Sequence, residues 1–373
     1  MNRRAGDAAP EKIQQMVSLA LRTLASLYKD GDTLCCRTLR ANHKGIERIG
    51  VSVRYSAISL IGILTAAKNG YYADVDRARL TDRLILEARN EYNVGNLGLI
   101  CWVAALSDEH DRCNHQLQNF LPERLRDLSK VDTSMELQWL LTGTCNLYIR
   151  CPDHAWLEDI IERTYDKLAR NLNDRADMFC GQTTGRIKSR WKKNLCYFSD
   201  QVYGIYSLCT YYEAFGNAEA LEWSVRIARK ICSLQGDRGQ WPWLYDSRKG
   251  GVVSMYPVYS VHQDGMAPMA LFKLSEVSDV DFTQNVMQGL SWVLGENELN
   301  IPLIDMSRGV IWRSIRKETK LDYRYALKVI KLVHVAGLDW LQHLANPFLS
   351  YEIDMECRPY HLGWLLCAFS GRC

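Results

Sequence analysis

The stretch Tyr256–Met269 (YPVYSVHQDGMAPM) packs two tyrosines, a histidine, an amide and a carboxylate into nine residues, then turns apolar. On a helix, His262 and Asp264 point about 200° apart and share no face. Both reach one cavity only from the first turn of a helix or the loop before it. Gly265 and Pro268 fit that position, because a proline in a first turn loses no hydrogen bond. Two further carboxylates stand in comparable places: Asp200 in CYFSDQVYGIY, and Glu136 between Met135 and Leu137. Hydrolysis of a glycosidic bond needs two such groups, one to protonate the leaving oxygen and one to activate water or attack. Asp200 with Asp264 is the first candidate pair, with Glu136 in reserve. The alternative is proton abstraction beside a carbonyl or carboxylate, with His262, His361, Tyr259 and Tyr360 as acid and base. Arg54, Arg313 or Arg358 would then hold an anionic sugar group. The plain structural alternative makes Asp264 a helix cap and His262 a hydrogen-bonded core residue.

Around these groups lie candidates for holding a ligand. Tyr55, Trp243, Tyr256, Trp312 and Tyr360 offer aromatic faces, and Gln201 and Gln263 offer amides. Aromatic faces stack on sugar rings and equally line isoprenoid pockets. Several arginines, histidines and acids in one mouth favour sugar, since desolvating them in a hydrocarbon pocket is costly.

What must position these residues is a repeat. An amphipathic, charged helix is followed six times by one made almost wholly of small and apolar residues. The apolar members start at Arg54 (RYSAISLIGILTAA), Gly95 (GNLGLICWVAAL), Ser134 (SMELQWLLTGTCNLY), Ser199 (SDQVYGIYSLCTYY), Val261 (VHQDGMAPMALFKL) and Arg358 (RPYHLGWLLCAF). The polar members run near Glu11–Lys29, Asp74–Tyr92, Arg112–Ser129, Ala155–Leu172, Ala218–Leu234 and Phe282–Leu294, with a further amphipathic helix near Leu321–His343. A helix apolar on nearly all sides must be enclosed, whereas one with a single apolar stripe covers a surface. Six such pairs predict an all-α (α/α)6 toroid of inner and outer helices; an open solenoid is the competing arrangement. One domain is expected over 1–373, with a tail at 1–10 and long insertions near the mouth at 173–198 and 295–357. The one strand-like run is Gly250–Tyr259, read as a rim hairpin. Polar residues gather at the N-terminal ends of the apolar helices, so parallel inner helices would bring them to one mouth. Ser134, Ser199, Asn96 and Asp200 there are also good helix caps.

The pattern from Glu11 to Phe369 resembles the α/α-toroid enzymes: six-hairpin glycosidases and polysaccharide lyases, sugar 2-epimerases, and terpenoid cyclases. Gln235, Gly239 and Trp241 (LQGDRGQWPW) resemble the Q-x3-G-x-W repeat of terpenoid cyclases, which implies a structural role. The acidic DxDD-type motif of class II terpenoid cyclases is missing, as is the zinc set of lanthionine cyclases. Arg54, His262 with Asp264, and His361 resemble the arginine and histidines of sugar 2-epimerases, although the usual H-x-x-E spacing is not kept. These likenesses imply a carbohydrate-active enzyme, with glycoside hydrolysis first, uronate lyase or epimerase chemistry as the alternative, and an isoprenoid enzyme or non-catalytic binding toroid beyond those.

Composition narrows the rest. The 373-residue chain has 46 Lys and Arg against 43 Asp and Glu, a net +3 that gives no strong field toward nucleic acid or membranes. The basic run Gly185–Lys193 (GRIKSRWKK) is short and isolated, and reads as a solvated loop or a rim site for an anionic polysaccharide. Thirteen cysteines include no CxxC pair, and several sit in apolar helical runs as small core residues. His262, Asp264 and His361 show no recognisable metal spacing, and nucleotide-binding glycine motifs are lacking. No metal or cofactor is expected. Met1–Pro10 has no apolar leader core, no apolar run of about 18 residues could span a bilayer, and a cytoplasmic protein is expected. The partner is an oligosaccharide or other small molecule, neutral or anionic.

Overall fold

The computed structural model describes residues 9–28, 34–43, 45–152, 154–183, 194–319, 323–338 and 348–372. The six alternations become six helical pairs. Helices α1 (Ala9–Leu27), α3 (Arg77–Ala88), α5 (His110–Gln118) with the short α6 (Leu121–Arg124), α8 (Ala155–Ala169), α10 (Ala218–Ser233) and α12 (Thr283–Val293) are the charged outer members. The inner members are α2 (Val53–Lys68), α4 (Val94–Leu106), α7 (Ser134–Arg150), α9 (Phe198–Phe215), α11 (Ala267–Val277) with the turn before it, and α14 (Pro359–Phe369). A further helix, α13 (Tyr323–Val335), belongs to neither ring and packs on strands of the mouth.

Packing follows composition. In α4 every residue from Leu97 to Ala105 is buried, whereas α10 buries Trp223, Ile227 and Ile231 on one stripe and exposes Glu219. Inner helices touch in the order α2, α4, α7, α9, α11, α14, and α14 returns to α2, so the ring closes. That contact decides against a solenoid. The ring is tight because glycines face each other: a Cβ on Gly143 would overlap the Gly98 backbone, and one on Gly62 would overlap Gly363. The toroid is the (α/α)6 arrangement that the helix pattern predicts.

Strands are more numerous than the sequence implied. A hairpin of β1 (Cys36–Asn42) and β2 (Gly45–Val51) is joined by β13 (Glu356–Cys357) in the order β13-β1-β2. Strands β3 (Leu172–Asn173) and β4 (Met178–Phe179) pair, as do β9 (Ile304–Asp305) and β10 (Val310–Ile311). Strands β5 (Leu195–Tyr197), β6 (Leu244–Asp246) and β7 (Gly251–Ser254) form a second three-stranded sheet. The third contains β8 (Val258–Tyr259), β11 (Ser314–Thr319) and β12 (Phe348–Asp354), in the order β12-β11-β8. The expectation of one hairpin at Gly250–Tyr259 is corrected accordingly. CRTLRAN and GIERIGV carry too many charges to alternate cleanly, because these rim strands are half exposed on both faces.

Every described cysteine is a free thiol, and no described helix is long and apolar enough to cross a membrane. The Gly185–Lys193 run lies outside the described residues.

Candidate functional site

The N-terminal ends of the inner helices surround a cavity of about 260 Å³. Arg54, Tyr55 and Ile58 of α2, Met135 and Trp139 of α7, and Ser199 and Tyr203 of α9 form much of its wall. His262, Met266 and Tyr360 come from the last two inner elements, and rim segments add Tyr197, Trp243, Tyr259 and Arg313. Among these described lining residues there is no carboxylate.

The turn carrying His262 explains the divergence of its neighbours. Residues His262–Met266 form a π-helical turn, and the Ala267 N–H reaches back to the His262 carbonyl. Pro268 has no N–H for the Asp264 carbonyl, which disfavours an ordinary α-turn at this point. His262 faces the cavity, while Asp264, fully buried, is held by α14 through a 2.5 Å contact between its Oδ1 and His361 Nε2. Burial, with a smaller contribution from the neighbouring His361, drives the His262 imidazole down to about 3, so it is neutral at ordinary pH. Its Nδ1 is buried without a hydrogen-bond partner, and so is Asp264 Oδ2.

Arg54 is held by neutral groups. Its Nε donates to Asn96 Oδ1 at 2.8 Å and its Nη2 to Asn93 Oδ1 at 3.3 Å, while the guanidinium lies 4.9 Å from the Trp139 ring centre. Asn93 in turn donates to Glu136 Oε1 at 2.8 Å, so Glu136 supports the amides behind Arg54. Arg313 differs: it pairs with Asp354 at 3.2 Å and Glu356 at 3.4 Å and covers the Tyr259 ring at 5.2 Å. The pairing of β8 with β11 sets Tyr259 opposite Ser314, and Ser260 N donates to the Arg313 carbonyl. Tyr55 and Tyr360 pack ring to ring at 4.7 Å, and burial raises the Tyr360 phenol above its ordinary value.

Asp200 lies in a smaller side chamber of about 140 Å³, whose wall shares Met135, Tyr197 and Ser199 with the main cavity. It accepts the Tyr197 N–H at 2.7 Å, and burial raises its carboxyl to about 7. Asp200 and Asp264 therefore do not face each other across the cavity; one lines the side chamber and the other is bound to His361.

Other expected residues serve the walls. Gln201 bonds both backbone polar groups of Phe179, and Gln263 bridges Trp241 N and the Tyr259 carbonyl. Tyr256 donates to Glu298 at 2.7 Å, Trp312 is buried, and Arg358 pairs with Glu356 at 2.6 Å. Gln235 binds the carbonyls of Gly239 and Asn285, and Trp241 is wholly buried. Capping falls elsewhere than on the expected serines: Ser52, Asn93 and Thr133 cap α2, α4 and α7, while Ser134 donates to the Cys180 carbonyl.

Ile58, Met135, Trp139, Ser199, Tyr203 and Met266 line the cavity but are not among the site residues expected from the sequence, where Ser199 reads as a helix cap. All six follow one rule: Arg54/Ile58, Met135/Trp139, Ser199/Tyr203 and His262/Met266 are four pairs of residues four apart, stacked on one face. Lys331 of α13, in the side chamber, had no such signal.

No protein-family model and no curated protein matches the chain. Solved structures do. Cellobiose 2-epimerase from Bacillus thermoamylovorans aligns at TM-score 0.66 and 12% identity, covering 98% of this chain and 100% of the other. A sugar epimerase from a ruminal bacterium aligns at TM-score 0.65 and 10% identity over 98% and 99%. Unsaturated glucuronyl hydrolase from Bacillus sp. GL1 aligns at TM-score 0.60 and 13% identity over 95% of each. At these identities the likeness establishes architecture: the chain has the six-hairpin (α/α)6 toroid fold of these sugar epimerases and glucuronyl hydrolases.

Proposed function

We propose that this protein is a carbohydrate-active enzyme that moves a proton at a carbon of a sugar, as an epimerase or isomerase does. The observation that carries the proposal is the neutral imidazole of His262 in a mouth walled by phenols and guanidinium groups, with no carboxylate among the described lining residues. The folds of the two epimerases support it.

The substrate presents a carbonyl carbon and, beside it, a carbon bearing hydrogen. His262 takes that proton, and the C–H electron pair moves to form a C=C bond as the carbonyl π pair passes to oxygen. The resulting enediolate lies near the Arg54 or Arg313 guanidinium. An imidazole with so low a pKa is a weak base, but the growing negative charge at the same wall stabilises its imidazolium as transfer proceeds. A phenol, Tyr259 or Tyr360, returns a proton to the other face of that carbon or to its neighbour. Exchange with solvent resets both groups.

Incubation of the protein with reducing sugars in D₂O, read by NMR, tests this. Deuterium should enter the carbon beside the carbonyl, and His262→Asn should stop it. With the imidazole at about 3, kcat/KM should show no acid limb near 6.5.

Glycoside hydrolysis is the second reading, favoured by Asp200: a carboxyl raised to about 7 retains a proton to donate. It predicts new reducing ends, loss of rate as pH rises above about 7, and inactivation by Asp200→Asn. New reducing ends without deuterium at carbon would replace the first reading with the second.

A further inference from the structure

The side chamber contains a cation with no carboxylate partner among the described residues. Lys331 reaches it from α13, outside both rings, and donates to the Tyr197 hydroxyl at 2.8 Å. Its ammonium lies 5.1 Å from the Tyr197 ring centre and 4.9 Å from that of Trp243. Among the described residues no carboxylate pairs with it, although the nearby cation Arg313 has two. Burying an ammonium against two aromatic rings lowers its proton affinity and carries a desolvation cost. Such a charge is worth retaining where an anion arrives to balance it.

The rest of the chamber suits that anion. Ser199 stands in the first turn of α9, an 18-residue helix whose N-terminal end carries partial positive charge. Its hydroxyl makes no hydrogen bond among the described residues, and so remains able to donate to an incoming oxygen. Asp200, the carboxyl in the chamber wall, holds its proton to about 7 and does not repel an anion in mildly acidic or near-neutral solution. At about 140 Å³ the chamber accommodates one carboxylate or phosphate group rather than a sugar ring. It adjoins the main cavity along Tyr197 and Ser199, so a sugar ring could lie in the mouth with a charged substituent reaching in.

We infer that the side chamber is an anion subsite, in which Lys331 and Ser199 bind a carboxylate or phosphate substituent of the sugar substrate. This rests on the sugar-binding reading of the mouth and names the class of sugar. Arg54, which among the described residues also has neutral hydrogen-bond partners alone, extends the positive field toward the main cavity.

Calorimetric titration of the full chain with glucose, glucuronate and glucose 6-phosphate tests it. The charged sugars should bind at least tenfold more tightly than glucose, with affinity falling as salt rises. Lys331→Gln should remove that preference and leave glucose binding unchanged, while Lys331→Arg should retain most of it. Preference for glucuronate alone or for glucose 6-phosphate alone would identify the anion as carboxylate or phosphate. Equal binding of all three sugars would overturn the subsite, as would a Lys331→Gln variant that weakens glucose and the charged sugars alike. Deuterium exchange separates this from the proton-transfer proposal. Lys331-dependent binding of charged sugars without exchange would end that proposal and keep the subsite. Exchange on neutral sugars that ignores Lys331 would do the reverse.

Discussion

The toroid has two mouths, and they differ in how far their charges are paired. Where the inner helices begin, around cavities of about 260 and 140 Å³, the Arg54 and Lys331 cations have no carboxylate partner among the described residues, although Arg313 at the same mouth has two. Where the inner helices end, a larger cavity of about 410 Å³ is lined by Trp102, Tyr206, Phe272, Lys273, Glu276 and Arg372. There the charges neutralise one another: Lys273 pairs with Glu213 at 2.6 Å, and Arg372 with Glu276 at 2.5 Å. Volume is therefore a poor guide to function in this fold. Uncompensated charge costs stability, and the first mouth is where that cost has a use.

Removing the central group of the first mouth should have the greatest consequence. His262→Ala should lower turnover by about 10²–10⁴-fold, the usual cost of losing a general base. Circular dichroism should be unchanged, since the imidazole Nδ1 has no partner to lose. Near-normal turnover would make this ring a passive wall. Next in size is Trp241→Ala. This wholly buried indole lies behind the mouth, and the backbone N–H of Trp241 donates to Gln263, the residue after His262. Truncation should cost roughly 3–5 kcal/mol in denaturant unfolding. Unchanged stability with lost sugar binding would move Trp241 from framework to site.

Protonation offers a subtler test, because the two titrating groups of the first mouth have opposite signs. Asp200 is raised to about 7, so between about pH 4 and 7 the folded state holds a proton that the unfolded chain has lost. Its contribution to stability is present at low pH and disappears as pH rises through that window. His262 is depressed to about 3; its contribution is present above about 6.5 and lost as pH falls toward 3. Asp200→Asn retains an oxygen for the Tyr197 N–H but does not titrate. The variant should gain stability relative to the parent as pH rises from 4 to 7, on the order of 1–4 kcal/mol at the upper end. A pH-independent difference would show that Asp200 is ionised throughout.

The ring architecture was legible in the sequence because burial on all sides leaves a compositional mark: GNLGLICWVAAL admits no exposed face. The first residues of the inner helices were legible too, as polar exceptions within apolar runs. What sat one turn further in was hidden by being apolar: Met135 and Trp139 look the same whether they line a cavity or fill a core. Direction was harder still. Nothing in HQDG says that a π-turn sends His262 toward the cavity and Asp264 toward His361, since that depends on α14, about a hundred residues later. Lys331 was the least legible. Its helix reads as one more amphipathic surface helix, and its role follows from the rim strands that fold it over Tyr197 and Trp243.

At the other mouth, where the charges are paired, a substitution should change little. Lys273→Met removes the ammonium that faces Glu213 and, at 4.0 Å, Glu276. Both carboxylates are at least partly solvated, so the lost pairing is screened by water and salt. Arg372 stays on Glu276, and the methionine chain keeps much of the aliphatic packing of the lysine stem. Unfolding should therefore change by less than about 1 kcal/mol, with the difference shrinking further in high salt. Turnover and sugar binding should not change at all, because the pair lies where the inner helices end and His262 lies where they begin. If Lys273→Met left stability intact yet changed turnover severalfold, neutralised charge at the second mouth would be linked to chemistry at the first. The two ends of the barrel would then have to be treated as one site.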